Sequence, residues 1–493
     1  MSIPRVTVLF GNGNLLADIS AVDGIAGLIC SGTATGAMPL KTPKQIFDLK
    51  DLAALGVSGL PVGTVAAVSG NMSIGSVGTN GDVYAVTVGA LALGSYTKVA
   101  GDTTTAAIAT AIRAAVNALT STHGYTAGGT ASNVTLTAPV SSGSSLNGVT
   151  CTITFPGGSS GTVFSGGVTE VVNSHLYRQV KEYYDEVGGR QELWIMTVAD
   201  TVTMTQMLDK NTADHAPLLL SQANGRIRLL AVARKPNVGY NGGTDFIDND
   251  VPTAVSAAKT LAEDQNDKLK FLRVLIEGCV ANANSTNYYQ PTTAENGFAG
   301  VVLGGDLADG SASLGSLLGR ACRYGAHIKV GKVANGALKI TNGYIGNKAI
   351  AQVSNLAYLH GLGYISLVTH PGKAGLYWGI DRMASTDDYR LLAYGRVVDK
   401  AATICAAVYV DMLESEIEMD GDGRITAQEV AYLRAIVSQQ IKALMGDQIS
   451  GFEVLVPEDQ NLITTGKLTV QLRVQPLGYA SFIEVTIGLT ATV

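Results

Sequence analysis

The chain has 493 residues, 15% of them charged and 46% hydrophobic, with 58 glycines and a formal net charge of −6 at pH 7. That length exceeds one ordinary core and implies about two to four domains. So little charge, against a usual ~25%, leaves a surface expected to be covered by partners, and the lack of a basic excess argues against nucleic acid as a ligand.

In chain order, the opening MSIPRVTVLFGNGN lacks the basic and apolar segments of a signal peptide. Within it, Pro4 to Gly11 reads as a lone strand rich in β-branched residues. KTPKQIFDLKDLAALGVS follows with helical spacing, Ile46, Leu49, Leu52 and Leu55 sharing one face. From Leu60 to Val172 the composition turns to Gly, Ser, Thr, Ala and Val. Short alternating runs (DVYAVTVGAL, NVTLTAPV, GVTCTITF) between Gly/Ser turns read as a β-sandwich or small barrel rather than a flexible linker. One helix interrupts them, DTTTAAIATAIRAAVNALTS, capped by Asp102 or a following threonine.

From SHLYRQVKEYYDEVG onward, helices and strands alternate. ELWIMTV, RIRLLAVA, KFLRVLIEG and GFAGVVLGG read as buried strands; TVTMTQMLDK, VPTAVSAAKTLAEDQND and SASLGSLLGRACRYG read as helices. This pattern implies an α/β core with a mainly parallel or mixed sheet flanked by helices on both faces. After residue 385 come two helices, DDYRLLAYGRVVDKAATICAAVYVDMLESEIE and AQEVAYLRAIVSQQIKALMGD, then the strands FEVLVPED, KLTVQLRVQPLG and SFIEVTIGLTATV. In the first helix Asp387, Asp388, Arg390, Arg396, Asp399 and Lys400 read as a solvated charged face.

The five cysteines (Cys30, Cys151, Cys279, Cys322, Cys405) form no CxxC pair and read as buried thiols of a reducing compartment, so the protein is expected to be made in a cytoplasm. No run reaches the roughly 18 apolar residues of a membrane span.

A parallel α/β sheet makes an enzyme the natural first expectation. FGNGNLLADIS lacks the third glycine of a dinucleotide fingerprint, TTGKLT lacks the upstream glycine of a P-loop, and no GxSxG or HExxH is present. The six histidines are far apart in sequence and read as ordinary surface or core residues. THPGKAGLYWGIDRMASTDDYRLL concentrates His, Lys, Trp, Asp and Arg and reads as a polar interface segment, with a catalytic loop as the alternative. Catalytic residues and cofactors are therefore expected to be none.

EIEMDGDGRITAQEV resembles a calcium loop, whose oxygen ligands stand at positions 1, 3, 5, 7, 9 and 12 around a glycine at 6. Glu418, Asp420, Asp422, the Arg424 carbonyl and Glu429 would be its ligands, with Glu418 off pattern. The same residues make a helix-capping turn, Thr426 accepting from the Glu429 amide, and that reading is preferred because calcium loops of this kind usually pair.

Two strand-like ends stand apart from the body. They are Arg5, Val6, Thr7, Val8, Leu9 and Phe10, and Glu484, Val485, Thr486, Ile487, Gly488 and Leu489. They are read as inter-subunit arms that pair with other copies through main-chain hydrogen bonds.

Together, an N-terminal strand, DGIAGLICSG, KTPKQIFDLKDLAALGVS, a variable insert, the α/β region, GYISLVTHPGKAGLYWGIDRMASTDDYRLLAYGRVVDKA, DGDGRITAQEV and the terminal strands resemble the contractile tail sheath proteins of bacteriophages and related contractile injection systems. The resemblance covers residues 1–60 and 190–493, most specifically 365–493. It implies an N-terminal arm (1–20), a first part of the sheath core (21–61), an inserted β-rich decoration domain (62–170), an α/β core (171–385), a C-terminal sheath domain (386–480) and a C-terminal arm (481–493). It implies a structural subunit of the virion tail, assembled in a host cytoplasm as stacked rings around an inner tube, that contracts to drive the tube through an envelope. Its partners would be other copies of itself, the inner tail tube protein, and baseplate and tail terminator proteins. An α/β enzyme with a β-rich accessory domain and a calcium-binding interaction module are the alternatives.

Overall fold

The computed structural model of the chain describes residues 24–170, 173–234, 247–280, 283 and 287–484. Two compact units divide the chain, with boundaries at Ser58/Gly59 and Ser174/His175.

In the larger unit the apolar segments pair into one mixed sheet. Its strands are β1 (Ala26–Gly32), β2 (Lys44–Ile46), β3 (Leu193–Ala199), β4 (Leu229–Ala233), β5 (Arg273–Glu277), β6 (Ala299–Leu303), β7 (Tyr364–Val368) and β8 (Tyr377–Trp378). Among the described residues the order is β2-β3-β1-β4-β5-β6-β7-β8, parallel from β3 to β7 with an antiparallel strand at each edge. The central strands are continuous apolar runs because both faces are covered. Successive residues go to opposite cores: Val274 and Ile276 join one with α3 (His215–Gln222) and α4 (Asp250–Asn266). Leu275 joins the other with α2 (Ser174–Val187) and α5 (Leu314–Arg323). α5 approaches α2 closely because Gly315 and Gly319 face its backbone, where a Cβ would collide with the Gln179 and Tyr183 carbonyls.

Residues 41–58 depart from the single helix expected of them. Lys44–Ile46 pairs with β3 as an edge strand, and the helix, α1 (Leu49–Ala54), is short. Asp48 decides the break. Its carboxylate accepts from the Lys50 and Asp51 amides while the Asp51 carboxylate accepts from the amides of Phe47 and Asp48, a capping box that starts the helix there.

The C-terminal part of this unit packs α6 (Leu392–Val410) on α7 (Ala427–Met445), followed by an antiparallel hairpin of β9 (Ile449–Leu455) and β10 (Gln471–Pro476). Val397, Ala401 and Ile404 of α6 meet Val437, Ile441 and Met445 of α7 and Ile449 and Val454 of β9 in their own small core.

The smaller unit, residues 59–174, is mostly antiparallel β. Its core joins strand residues Tyr84, Val86, Leu93, Val134, Leu136, Ile153 and Phe164 to Ile108, Ile112 and Val116 of helix Thr105–Ala118. Thr104 caps that helix, its hydroxyl accepting from the Ala107 amide at 3.1 Å. The Asp102 carboxylate instead accepts from the Tyr96 hydroxyl and the Val99 amide.

The cysteines are free thiols, buried except for half-buried Cys405, and burial pushes the Cys322 thiol up to about 12. Among the described residues no helix is long and apolar enough to cross a membrane.

Candidate functional site

In open parallel sheets ligands bind beyond the carboxyl ends of the strands, so that edge comes first. Here the fold's own side chains use it. Glu277, at the end of β5 and fully buried, accepts from His175 Nε2 at 2.9 Å and from the Arg234 and Ala312 amides at 2.8 Å each. Arg178 bonds the His175 Nδ1 at 3.0 Å, and Glu182, one turn on, accepts from the Ser313 hydroxyl at 3.0 Å. Arg320 of α5 pairs with Glu186 at 3.0 Å. These contacts tie α2 and α5 to the sheet through charge-assisted hydrogen bonds.

Glu182 carries the clearest electrostatic consequence. Burial raises its carboxyl from 4.5 to about 7, outweighing the lowering by Arg178 and Ser313. Below pH 4.5 folded and unfolded chains are both protonated there. Between pH 4.5 and 7 the unfolded chain ionises first, so folding loses roughly 2–4 kcal/mol as pH rises. Glu182→Gln is therefore expected to melt higher than the parent at pH 8, with the difference vanishing by pH 4.5. A variant less stable than the parent at pH 8, measured by calorimetry, would place an ionised, Arg178-paired carboxylate there instead.

The histidines separated in sequence do not all stay separate. His327, His360 and His370 line one cavity of about 720 Å³ with Trp378, Ile380 and Leu477. His360 Nε2 lies 3.2 Å from the Ser366 hydroxyl, and among the described residues no carboxylate bonds the ring, so no acid there orients it as nucleophilic catalysis requires. Burial holds His327 and His360 below the usual imidazole value.

The charged face expected on α6 is not solvated. Arg396, Asp399 and Lys400 are buried, while Asp387, Asp388 and Arg390, just before the helix, are exposed. Asp399 takes both prongs of Arg273 from β5, Nε to Oδ2 at 2.7 Å and Nη2 to Oδ1 at 2.6 Å. The remaining guanidinium nitrogen donates to the Gly297 carbonyl at 2.7 Å, with the Phe298 and Tyr389 rings beside the cation. The expectation failed because the partner lies on a strand 126 residues earlier.

The acidic loop closes on itself. Asp420 Oδ1 accepts from the Asp422 amide at 2.9 Å and the Arg424 amide at 2.8 Å, and Gly423 adopts φ +74°. Met419 and Ile425 form a bridge, the Glu418 carbonyl accepts from the Thr426 amide, and Thr426 Oγ1 accepts from the Glu429 amide at 3.3 Å. No group of three or more His, Cys, Asp or Glu among the described residues is placed to hold a metal ion. Asp420→Asn with Asp422→Asn is expected to cost only about 0.5–2 kcal/mol, as for other caps, with calcium and chelator leaving the parent melting temperature unchanged. A large upward shift with millimolar calcium would reverse that reading.

Of the arm residues, Arg5, Val6, Thr7, Val8, Leu9 and Phe10 lie outside the described residues, as do Val485, Thr486, Ile487, Gly488 and Leu489. Glu484 is exposed and in no strand. Its approach is well placed, however. β10 ends at Pro476, and from Gly478 to Glu484 every side chain is exposed except Tyr479. The Tyr479 hydroxyl donates to the His327 carbonyl at 2.6 Å, and its ring stacks on Tyr394 of α6 at 5.4 Å. Lys329 Nζ stands 5.3 Å from the ring centre and pairs with buried Asp381 at 3.3 Å. Burial pushes the Tyr479 hydroxyl up to about 12, so it remains a donor. Nothing in the spacing of the terminal segment singled out this tyrosine; being the one large aromatic between two Gly/Ala neighbours was its only signal.

The fold built from these parts is similar to that of a contractile sheath subunit. The chain aligns over 99% of its length with 100% of a subunit of the anti-feeding prophage helical sheath in its contracted state, at 12% identity and a TM-score of 0.50. A chain of the anti-feeding prophage baseplate aligns over 66% of this chain and 84% of its own, at 15% identity and a TM-score of 0.45. A chain of the contracted PVC sheath complex, from an extracellular contractile injection system, aligns over 64% and 80%, at 14% identity and a TM-score of 0.41. By sequence the chain matches DUF2586, N-terminal domain, over residues 166–382 and DUF2586, C-terminal domain, over residues 388–493. No curated protein matches it.

Proposed function

We propose that this protein is a contractile sheath subunit. It polymerises as stacked rings around an inner tube and contracts to drive that tube through a target envelope, as in a bacteriophage tail during genome ejection or a related injection system. The observation that carries the reading is the end-to-end alignment with the anti-feeding prophage sheath subunit, which leaves almost none of either chain unmatched. A ligand edge used by the fold's own carboxylate and a low-charge surface fit a structural role. In this reading residues 62–170 are a decoration domain, both termini are arms that pair with neighbouring copies, and the other partners are tube, baseplate and terminator proteins.

Negative-stain microscopy of the purified protein, or of particles from its source, tests this. Hollow cylinders or striated tails are expected; monodisperse globular subunits at every concentration and salt condition would refute it. Deletion of residues 62–170 is expected to leave cylinder formation intact, because that segment folds as its own compact unit. Loss of all polymer from the well-folded deletion would place the insert in the lattice instead.

A further inference from the structure

We propose that Tyr479 is a pivot: it is the main point at which the C-terminal segment is fixed to its own subunit, with Lys329 and Asp381 as the latch behind it. This deepens the sheath reading, on which the purpose of the pivot rests, but the anchoring itself is intramolecular.

Three observations converge. First, the segment has one shielded handhold. Between Gly478 and Glu484 only Tyr479 is shielded from solvent, and it alone makes a hydrogen bond, a ring stack and a cation contact at once. Just beyond it Phe482 and Ile483 are 87% and 78% exposed, so the chain leaves the surface within a few residues. Second, the segment bridges rather than packs. Leu477 to Phe482 line the cavity of about 720 Å³ together with Ile328, Val333, Val368 and Trp378. Trp378 is buried, and its indole N–H meets no acceptor among the described residues. A strap over a cavity lacks the dispersion contacts that would hold its other residues, so it turns about the residue that is held.

Third, the latch joins the two parts of the larger unit. Lys329 supports the Tyr479 ring and also donates to Ser481 Oγ at 3.4 Å. Its partner Asp381 follows edge strand β8 and accepts from the Ala393 amide at 3.1 Å, at the start of the helix that carries Tyr394. The exit direction of the terminal segment is thereby set where the sheet edge meets α6. A rearrangement at that joint redirects the segment without unfolding either part.

The test uses the full-length chain, below concentrations at which it assembles, with Trp194→Phe leaving Trp378 as the one indole reporter. Tyr479→Ala is expected to speed chymotryptic cleavage after Phe482 by about tenfold and to make Trp378 fluorescence more quenchable by acrylamide, since local opening then needs no anchor broken. Tyr479→Phe, which keeps the stack and loses one hydrogen bond, is expected to give about threefold. Lys329→Met is expected to fall between them. Cleavage and quenching unchanged in all three variants would overturn the pivot. A drop in global melting temperature with cleavage spread along the chain would overturn it too, by making Tyr479 a core residue. Cylinder formation is scored separately. Anchoring lost with normal cylinders removes the pivot's role in assembly and leaves the sheath reading standing. No cylinders from the parent refutes the sheath reading and leaves the anchoring measurement intact.

Discussion

Subunits that lack Glu484 to Val493, or Arg5 to Phe10, are expected to fold and to remain monomeric. Among the described residues, the two cores of the sheet and the small core of the C-terminal helices are built from residues between Ile25 and Val474, all of which either truncation retains. What an arm would contribute is main-chain pairing with another copy. Each such hydrogen bond contributes about 0.5–1.5 kcal/mol net, but a strand carries several, and a ring repeats the contact at every subunit. Loss of one arm therefore removes polymer rather than fold. Proline at Thr7 or Ile487 is expected to act in the same direction, by deleting a donor and disturbing the ladder. Sedimentation and circular dichroism of the truncated proteins decide the matter. Cylinders of normal length from both would end the strand-exchange account, and insoluble unfolded protein would put the end strands inside the subunit's own core.

The second large effect is expected at the Arg273–Asp399 pair. Their side chains are 3% and 11% exposed, so removing one partner leaves the other charge buried without compensation. Arg273→Met or Asp399→Ala alone is expected to cost about 3–5 kcal/mol, whereas Arg273→Met with Asp399→Leu is expected to recover most of that loss. The pair joins a residue within the N-terminal DUF2586 match to one within the C-terminal match, so the single variants are also expected to lose cooperativity between these parts. Guanidinium unfolding followed by both far-UV dichroism and tryptophan emission measures this. Small, additive costs would mean that the pair contributes little beyond packing.

The central strands were legible because they need nothing distant to be recognised. Runs such as Leu229–Ala233 and Ala299–Leu303 are apolar at every position, which a chain tolerates only where both faces of a sheet are covered. The turn at Asp420 to Thr426 was legible for a similar reason: its acceptors and donors lie within a few residues of one another. Lys44–Ile46 was read as part of a helix because its spacing suits one; the choice was made by β3, which offers an open edge, and by the Asp48 cap.

Local chemistry by itself thus determined the composition-poor insert, the alternating α/β segments and the absence of any local catalytic fingerprint, since each is written in neighbouring residues. The tertiary structure alone decided which charges are buried and which side chains converge. Arg273 meets Asp399, His327, His360 and His370 share a cavity, and Tyr479 reaches back to His327, 152 residues earlier. A buried charge or an anchoring ring is defined by its partner, and a partner that far along the chain is brought near only by the order of strands in the sheet, which periodicity does not encode.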